Sequence, residues 1–393
     1  MTKSGLDRLL TNFPPDLTGK KIGVVCHAAS ITSSYEHLLH ALTNRSRCTV
    51  AAVFGPQHGL YGQTQDNMIE WEGNGTSAGR AAVYSLYGKT RKPTPAMIAG
   101  IDALLFDLQE VGARPYTYLW TLKFCMEACA EQGIPLWLLD RPNPIAAIDF
   151  DGPMIDPSFF SFVGNAEIPL CYRLTIGEIA EFLRKTYVPS CDLHVVWMEG
   201  WWRNSLFSET GLPWVLPSPN MPTLDTAIVY PGMVLLEATN ASEGRGTTRP
   251  FELFGAPYIK TAEVLKRLAG CNLPGCLFRE HDFQPTFQKW AGTYCHGMQI
   301  HVTDARAFRP VETAAAILLA IAATSKTDFA FRTDPYEYER EKLAIDILTG
   351  SEVFRTMLMG GAALADIRNI WRAERQSFEE AFEELVHYPE DLP

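Results

Sequence analysis

The sequence predicts an α/β fold, with a Rossmann-like parallel sheet in an N-terminal domain (residues 1–222) and a smaller α+β C-terminal domain (residues 223–393). Three observations lead to this prediction. The chain has 393 residues, more than the roughly 250–300 at which single cores stop growing, so two domains are expected. Short apolar runs alternate with helical patterns through the first half. A Pro-rich stretch, Pro217-Ser-Pro-Asn-Met-Pro222, then leads into a half that is richer in helical patterns.

The elements follow from hydrophobic periodicity. Five short apolar runs have the composition of parallel strands that are covered on both faces: 21–26, 49–55, 103–108, 135–140 and 193–198. Helical patterns lie between them at 35–43, 117–132 and 175–187, and Thr175 with Glu178 forms a capping box that opens the last one. In the second half the patterns predict strands at 276–280 and 297–302, and helices at 231–241, 261–269, 311–324, 336–348, 351–360 and 364–386.

Composition restricts the class of protein. A hydrophobic fraction of 47% and a mean hydropathy of −0.05 are typical of a globular chain with an ample core. The net charge of −11 and pI of 5.4 argue against nucleic acid as a partner. No apolar run reaches the ~18 residues of a membrane span, and the first residues lack the apolar core of a signal peptide, so we expect a cytoplasmic protein. No oligomeric state follows from the sequence.

Several familiar chemistries have no sequence support. Cys26-His-Ala-Ala-Ser30 stands where a dinucleotide site would have GxGxxG, and Gly88-Lys-Thr90 lacks the first glycine of a P-loop. HExxH and paired Cys/His spacings are absent, as is the GxSxG of α/β-hydrolases. The nine cysteines include no CxxC pair and fit reduced thiols. We therefore expect neither a metal nor another cofactor.

Polar residues follow four consecutive predicted strands. His27 follows the first strand, Gln57 and His58 the second, Glu110 to Tyr116 the third, and Asp140 to Asn143 the fourth. In open parallel sheets, ligands bind outside the carboxyl ends of the strands. Ordinary helix-capping turns would account for the fourth group, but not for the second and third together. A ligand site at this edge of the sheet is the favoured interpretation.

A second candidate segment is Asn240-Ala-Ser-Glu-Gly-Arg-Gly-Thr-Thr-Arg-Pro-Phe251. Its two glycines let the backbone bend closely over a ligand while amide, hydroxyl, carboxylate and guanidinium groups converge on it. The alternative interpretation is a polar surface loop with a salt bridge between Glu243 and Arg245 or Arg249.

Five motifs together resemble one family: Phe54-Gly-Pro-Gln-His-Gly-Leu-Tyr-Gly62, Phe106-Asp-Leu-Gln-Glu-Val-Gly-Ala-Arg-Pro-Tyr-Thr-Tyr118, Leu139-Asp-Arg-Pro-Asn-Pro144, Pro217 to Pro222, and Glu237-Ala-Thr-Asn-Ala-Ser-Glu-Gly-Arg-Gly-Thr247. This set is similar to that of the DUF1343 family, also called NamZ or YbbC-like, whose characterised members are exo-β-N-acetylmuramidases. The resemblance implies an active site in the cleft between the two domains. It also implies removal of terminal β-linked N-acetylmuramic acid from the non-reducing end of peptidoglycan fragments in cell-wall recycling, without metal or nucleotide.

One position departs from the family pattern. Active members carry Pro-Glu-His-Gly after the second strand, whereas this chain has Gln57 in place of the glutamate. An amide cannot act as a general acid. Two hypotheses follow: a glycosidase in which another carboxylate has taken over, or a non-catalytic sugar-binding or regulatory protein that kept the cleft.

Glycosidases usually need two carboxyl groups, so we predict catalytic residues among Glu110, Glu243 and Glu70, with Asp66 behind them. Apolar surroundings are expected to raise the pKa of Glu110 toward that of a useful acid. For the lactyl carboxylate of the sugar we favour Arg114 over Arg141 and Arg245. The predicted substrate-binding residues are Gln57, His58, Arg114, Tyr116, Asp140, Arg141, Asn143, Asn220, Asn240, Arg245 and Thr247.

Overall fold

A computed structural model describes residues 1–45, 47–65, 68–71 and 81–391. Its larger sheet consists of six strands that all pair in parallel. In chain order they are β1 Lys21–Cys26, β2 Thr49–Gly55, β3 Ala82–Ser85, β4 Ala103–Asp107, β5 Leu136–Leu139 and β6 Leu193–Val196. Their spatial order, β3-β2-β1-β4-β5-β6, is that of a Rossmann-like sheet. The predicted α/β fold class is confirmed.

Five of these strands are the five predicted from apolar runs. β3 was not predicted, because it has only four residues and three of them are half-exposed at the sheet edge. The helices of this half are α1 Gly5–Thr11, α2 Leu38–Arg45, α3 Pro95–Ile98, α4 Tyr118–Gln132 and α5 Ile176–Thr186. The predicted capping box of α5 is present, since the Thr175 hydroxyl and the Glu178 carboxylate each accept a backbone N–H from the other residue.

The second half contains a three-stranded antiparallel sheet and six helices among its described residues. The strands are β7 Leu253–Ala256, β8 Cys276–Glu280 and β9 His296–Val302, in the order β7-β9-β8. The helices are α6 Leu224–Met233, α7 Thr261–Leu268, α8 Pro310–Thr324, α9 Ala344–Thr349, α10 Val353–Met359 and α11 Leu364–Ala381.

Two helix predictions in this half are wrong, and both errors bear on the site. The helix expected at 231–241 begins earlier, because the Thr223 hydroxyl caps α6 by accepting the Thr226 N–H, and a 3₁₀ segment, Val234–Ala238, follows it. The helix expected at 336–348 is confined to α9. Glu337 and Tyr338 have positive φ angles of 44° and 72°, which an α-helix does not accommodate.

The two halves share one apolar core. Buried side chains of both belong to a single continuous cluster. The end of the described chain also returns to the first half, where the Tyr388 hydroxyl donates to Asp140 Oδ2 (2.5 Å). The boundary at residues 222 and 223 stays a prediction. No helix in the described part of the chain is long and apolar enough to cross a membrane.

Candidate active site

A narrow cavity lies where the carboxyl ends of the parallel strands meet the second half of the chain. The first half contributes the segment after β2, the start of α4 and the Pro-rich stretch, and the second half contributes α6, the glycine-containing loop and the irregular segment before α9. The polar and aromatic lining residues are Gln57, His58, Tyr116, Thr117, Tyr118, Ser218, Asn220, Tyr230, Glu237, Arg245, Phe251, Tyr336 and Glu337. The cavity volume is about 40 Å³, enough for a few water molecules.

Gln57 and His58 follow β2 directly and form one wall. Thr117 donates its hydroxyl to Gln57 Oε1 (2.5 Å), which fixes the orientation of the amide. His58 has a φ of 69°, and its Nδ1 lies 2.8 Å from the Thr64 carbonyl oxygen. A positive φ is unfavourable for a residue with a side chain. The contact with Thr64 helps to stabilise this backbone conformation and fixes the imidazole at the cavity.

Glu337 approaches this wall from the second half. Its carboxylate accepts the Gln57 Nε2–H (3.2 Å) on one oxygen and the Tyr87 hydroxyl (2.6 Å) on the other. The residue is 4% exposed. Burial raises the pKa of Glu337 above its usual value, although the two hydrogen bonds and the positive charges of Arg91 and Arg245 oppose the shift.

A second carboxylate, Glu237, belongs to an ionic cluster at the cavity. Arg245 forms a short ion pair with Glu237 Oε1, and the Tyr336 hydroxyl donates to Glu237 Oε2 (2.8 Å). Arg245 also lies 3.5 Å from Glu243. Tyr336 and Glu337 are consecutive. One short segment therefore supplies the Glu337 carboxylate to the cavity and binds the Glu237 carboxylate through the Tyr336 hydroxyl.

Tyrosine rings form the remaining wall. Tyr116 contacts the rings of Tyr118 and Tyr230 edge to face, with centroids 4.8 and 5.7 Å apart. The Tyr118 hydroxyl donates to the Pro217 carbonyl (2.6 Å), which ties α4 to the Pro-rich stretch. Burial raises the pKa of all three phenols, so they are neutral hydroxyls. Such rings offer apolar surface to the face of a sugar.

The structure brings five of the predicted site residues to this cavity: Gln57, His58, Tyr116, Asn220 and Arg245. Asn220 is oriented by donating to the Gln65 carbonyl (2.8 Å). Four of these five come from the strand-end and loop segments that the sequence singled out, and Asn220 comes from the Pro-rich stretch.

Arg114 and Glu110 do not line the cavity. Arg114 is fully buried and donates to the carbonyls of Pro153, Ile168 and Leu348, each at 2.9 Å, so its guanidinium is engaged by backbone. Glu110 is 1% exposed and accepts the Tyr172 hydroxyl (2.5 Å) and the Gly112 N–H. The expected direction of its pKa holds, since burial raises it to about 8. Its carboxyl group nevertheless lies inside the protein rather than at the cavity.

The residues after β5 are also engaged elsewhere. Asp140 accepts hydrogen bonds from Tyr388, Thr175 and the Gly177 N–H. Arg141 forms a bidentate ion pair with Asp107 (2.5 and 2.8 Å), and Asn143 donates to the Leu174 carbonyl (2.9 Å). Buried polar groups of this kind stabilise the turn because each finds a partner. Asp140, Arg141 and Asn143 therefore support the fold and do not line the cavity, and a role for them in substrate binding stays a prediction.

Four further predicted residues lie off the cavity lining. Asn240 donates to the Asp328 carbonyl (2.6 Å), and Thr247 donates to the Gly244 carbonyl (2.6 Å), so both hold the loop. Glu243 pairs with Lys289 Nζ (2.7 Å). Glu70 lies 3.5 Å from Arg91 at the surface. Asp66 lies outside the described residues.

Sequence reasoning missed the two carboxylates that do line the cavity. Glu237 begins the last of the five family motifs, in which the prediction selects Glu243 instead. Glu337 stands in Asp334-Pro-Tyr-Glu-Tyr338, where a helix is predicted to begin. The proline and the two tyrosines that flank a glutamate were the available signal. No cluster of three or more His, Cys, Asp or Glu residues that could hold a metal ion occurs in residues 1–45, 47–65, 68–71 and 81–391.

Fold and cavity together define the class: an α/β protein with a Rossmann-like sheet, a smaller antiparallel sheet and, where the two halves meet, a cavity with two carboxylates. Comparison with known proteins specifies the family. Residues 22–225 match the N-terminal domain of exo-β-N-acetylmuramidase NamZ, and residues 228–388 match its C-terminal domain. The chain belongs to the NamZ family and is a glycoside hydrolase.

Relatives agree over almost the whole chain. The chain is 41% identical to the peptidoglycan β-N-acetylmuramidase NamZ of Bacillus subtilis (strain 168), over 98% of this chain and 91% of that protein. Two crystal structures of DUF1343 family proteins from Bacteroides fragilis NCTC 9343 superpose on it. One is 30% identical, with a TM-score of 0.88 over 98% of this chain and 99% of the other. The second is 26% identical, with a TM-score of 0.79 over 100% of both chains.

Proposed function

We propose that this protein releases terminal β-linked N-acetylmuramic acid from the non-reducing end of peptidoglycan fragments, in the cytoplasm, as a step in cell-wall recycling. The observation that supports it most directly is the cavity itself, which combines two buried carboxylates, a guanidinium and tyrosine rings in a chain 41% identical to a peptidoglycan β-N-acetylmuramidase. Carboxyl groups carry out the chemistry of most glycosidases, and aromatic rings pack on sugars.

Recognition of the lactyl carboxylate falls to Arg245 in this proposal. Among the described residues that line the cavity, Arg245 is the one arginine or lysine. A guanidinium has five N–H donors, so Arg245 can keep its ion pair with Glu237 and bind a second carboxylate. Glu243 pairs with Lys289 Nζ at 2.7 Å. Because its charge is already balanced, Glu243 competes less with the substrate carboxylate for Arg245. Arg245 therefore replaces Arg114 as the group expected to distinguish acidic from neutral amino sugars.

Hydrolysis of two chromogenic substrates tests this function. We expect the wild type to hydrolyse an aryl β-N-acetylmuramide in preference to the matching β-N-acetylglucosaminide, which lacks the lactyl group. Arg245→Lys should lower kcat/KM for the muramide by about 10- to 100-fold, the equivalent of losing a charge-assisted hydrogen bond, and affect the glucosaminide much less.

Arg249→Lys is the matched control, because Arg249 lies in the same loop, does not line the cavity, and has an exposed side chain that pairs with the buried Glu252 (3.1 Å). It should retain the wild-type preference. Equal rates on the two sugars in the wild type would contradict the proposed specificity. Tight binding of N-acetylmuramic acid without hydrolysis of either substrate would instead identify a sugar-binding protein, the role that Gln57 would suit.

A further inference from the structure

The contact between position 57 and Glu337 joins the two halves of the chain at the cavity. Gln57 belongs to the segment after β2, and Glu337 lies 280 positions further along the chain, with Gln57 Nε2 and Glu337 Oε1 3.2 Å apart. Both side chains are 4% exposed.

The backbone around Glu337 is held in place by specific contacts. The Tyr338 ring lies under the guanidinium of Arg91 (4.2 Å) and against the Tyr87 ring (6.0 Å between centroids). On the other side, the Tyr336 hydroxyl donates to Glu237. The positive φ angles of Glu337 and Tyr338 cost on the order of 1–3 kcal/mol each and persist only where surrounding contacts impose them. The fold thus stabilises an unfavourable conformation that presents this carboxylate to the cavity.

The 3.2 Å separation determines what such a pair can do. The two carboxyl groups of a glycosidase stand about 5–5.5 Å apart in retaining enzymes and about 6.5–9.5 Å apart in inverting ones. A glutamate at position 57, with an oxygen in the place of Gln57 Nε2, would be in hydrogen-bonding contact with Glu337. They would share one proton, as adjacent carboxyl groups do, and act as a single acid. With Gln57, the hydrogen bond is kept and Glu337 is the member of the pair that still titrates.

We propose that Glu337 is the general acid of this glycosidase. This inference rests on the proposed function. In the step, the Glu337 carboxyl gives its proton to the glycosidic oxygen as the bond from C1 to that oxygen breaks, and the electron pair of the bond stays on the leaving oxygen. Water adds its oxygen to C1, and the proton that it loses restores Glu337 through solvent. No metal or redox partner enters this balance.

An acid must hold its proton at the working pH. Desolvation is the largest influence on Glu337 and raises its pKa, as an acid requires. Tyr87 has the strongest opposing contact, because its hydroxyl donates to the carboxylate and stabilises the ionised form. The charged and titratable groups that act on Glu337 or feel its charge are Tyr87, Arg91, Tyr230, Arg245, Tyr336 and Tyr338.

Leaving-group dependence tests the role of Glu337. A dinitrophenolate leaves without a proton, whereas the sugar alcohol of the MurNAc-GlcNAc disaccharide does not. We expect Glu337→Gln to lower kcat on the disaccharide by about 10²- to 10⁴-fold and on dinitrophenyl β-N-acetylmuramide by far less. Glu341→Gln, the same chemical change at an exposed position of the same segment, should behave as wild type on both. Equal losses on both substrates, or no loss, would show that Glu337 is not the acid.

The pH profile provides a second test that does not depend on removing Glu337. Tyr87→Phe removes a hydrogen bond that lowers the pKa of Glu337, so that pKa should rise. Because a general acid loses activity as pH increases through its pKa, the alkaline limb of kcat/KM should move to higher pH. Gln57→Glu should move the limb in the same direction, since it places a second carboxylate beside Glu337. An alkaline limb that stays in place in both variants would overturn the assignment.

The outcomes separate this inference from the proposed function. A wild type that hydrolyses neither substrate contradicts the muramidase itself. A wild type that is active, with a Glu337→Gln variant equally active on the disaccharide, leaves the muramidase standing and removes only the role of Glu337.

Discussion

At the scale of single residues, charge and hydrogen-bond partners decide which polar groups serve the cavity and which serve the fold. The Glu337 carboxylate accepts hydrogen bonds from Gln57 and Tyr87 and lines the cavity. The Glu110 carboxylate accepts hydrogen bonds from Tyr172 and the Gly112 N–H inside the protein. Both carboxyl groups are buried, and burial raises the pKa of each. A raised pKa therefore does not identify the acid by itself; position at the cavity distinguishes them.

Arg114 illustrates the same distinction and allows a direct prediction. Its guanidinium donates to three backbone carbonyls, and lysine has no planar fork that reaches all three. We expect Arg114→Lys to lower the free energy of unfolding by roughly 1–3 kcal/mol for each buried carbonyl left unsatisfied. The preference for acidic over neutral sugar should not change. Urea unfolding and the two chromogenic substrates measure these effects.

Arg184→Lys is the control, because Arg184 pairs with Glu181 one turn away on α5, both side chains are about one-third exposed, and pairs near the surface contribute little. A stable Arg114→Lys variant with altered sugar preference would return Arg114 to the binding site.

Sequence reasoning about residues succeeded where chemistry and chain position point to the same place. Gln57, His58 and Tyr116 follow parallel strands, and Arg245 lies in a glycine-containing loop, so their location at the cavity could be predicted. Arg114, Asp140, Arg141 and Asn143 also follow strands, but their partners are backbone or distant side chains. Those partners come from residues far away in the chain, which no local pattern reveals.

At the scale of elements, the irregular segment before α9 determines the site. Apolar residues at helical spacing predicted a helix from 336, but the contacts of Tyr336, Glu337 and Tyr338 with the first half impose a different backbone. Tertiary contacts outweigh helix propensity here. The strands of the parallel sheet were predictable because buried parallel strands are continuous apolar runs. Short β3 and β7 have four residues each and give little such signal.

The packing of α6 against α8 supports the wall that carries Tyr230. A Cβ at Gly232 would lie 1.9 Å from the Pro310 carbonyl oxygen, at the start of α8. We expect Gly232→Ala to destabilise the protein by about 1–3 kcal/mol or more, because the helices must move apart. Thermal unfolding measures the loss. Gly270→Ala, where the nearest atom is the Arg267 carbonyl oxygen at 3.3 Å, should change stability far less. Equal stability of Gly232→Ala and wild type would show that the two helices separate at no cost.

At the scale of the whole molecule, the cavity exists only where the two halves meet. Gln57 and Glu337 contact each other across this boundary, and the shared apolar core fixes the halves against one another. Tyr388 and Glu390 strengthen the arrangement by binding Asp140 and Arg173 of the first half.

The central claim is that this cavity cleaves a terminal β-linked N-acetylmuramic acid. The most direct measurement incubates the wild-type protein with two disaccharides, MurNAc-GlcNAc and GlcNAc-MurNAc, and quantifies the free sugars. We predict that free N-acetylmuramic acid and N-acetylglucosamine form from the first disaccharide and that the second stays intact. Cleavage of the second at a comparable rate, or of neither, would contradict the claim.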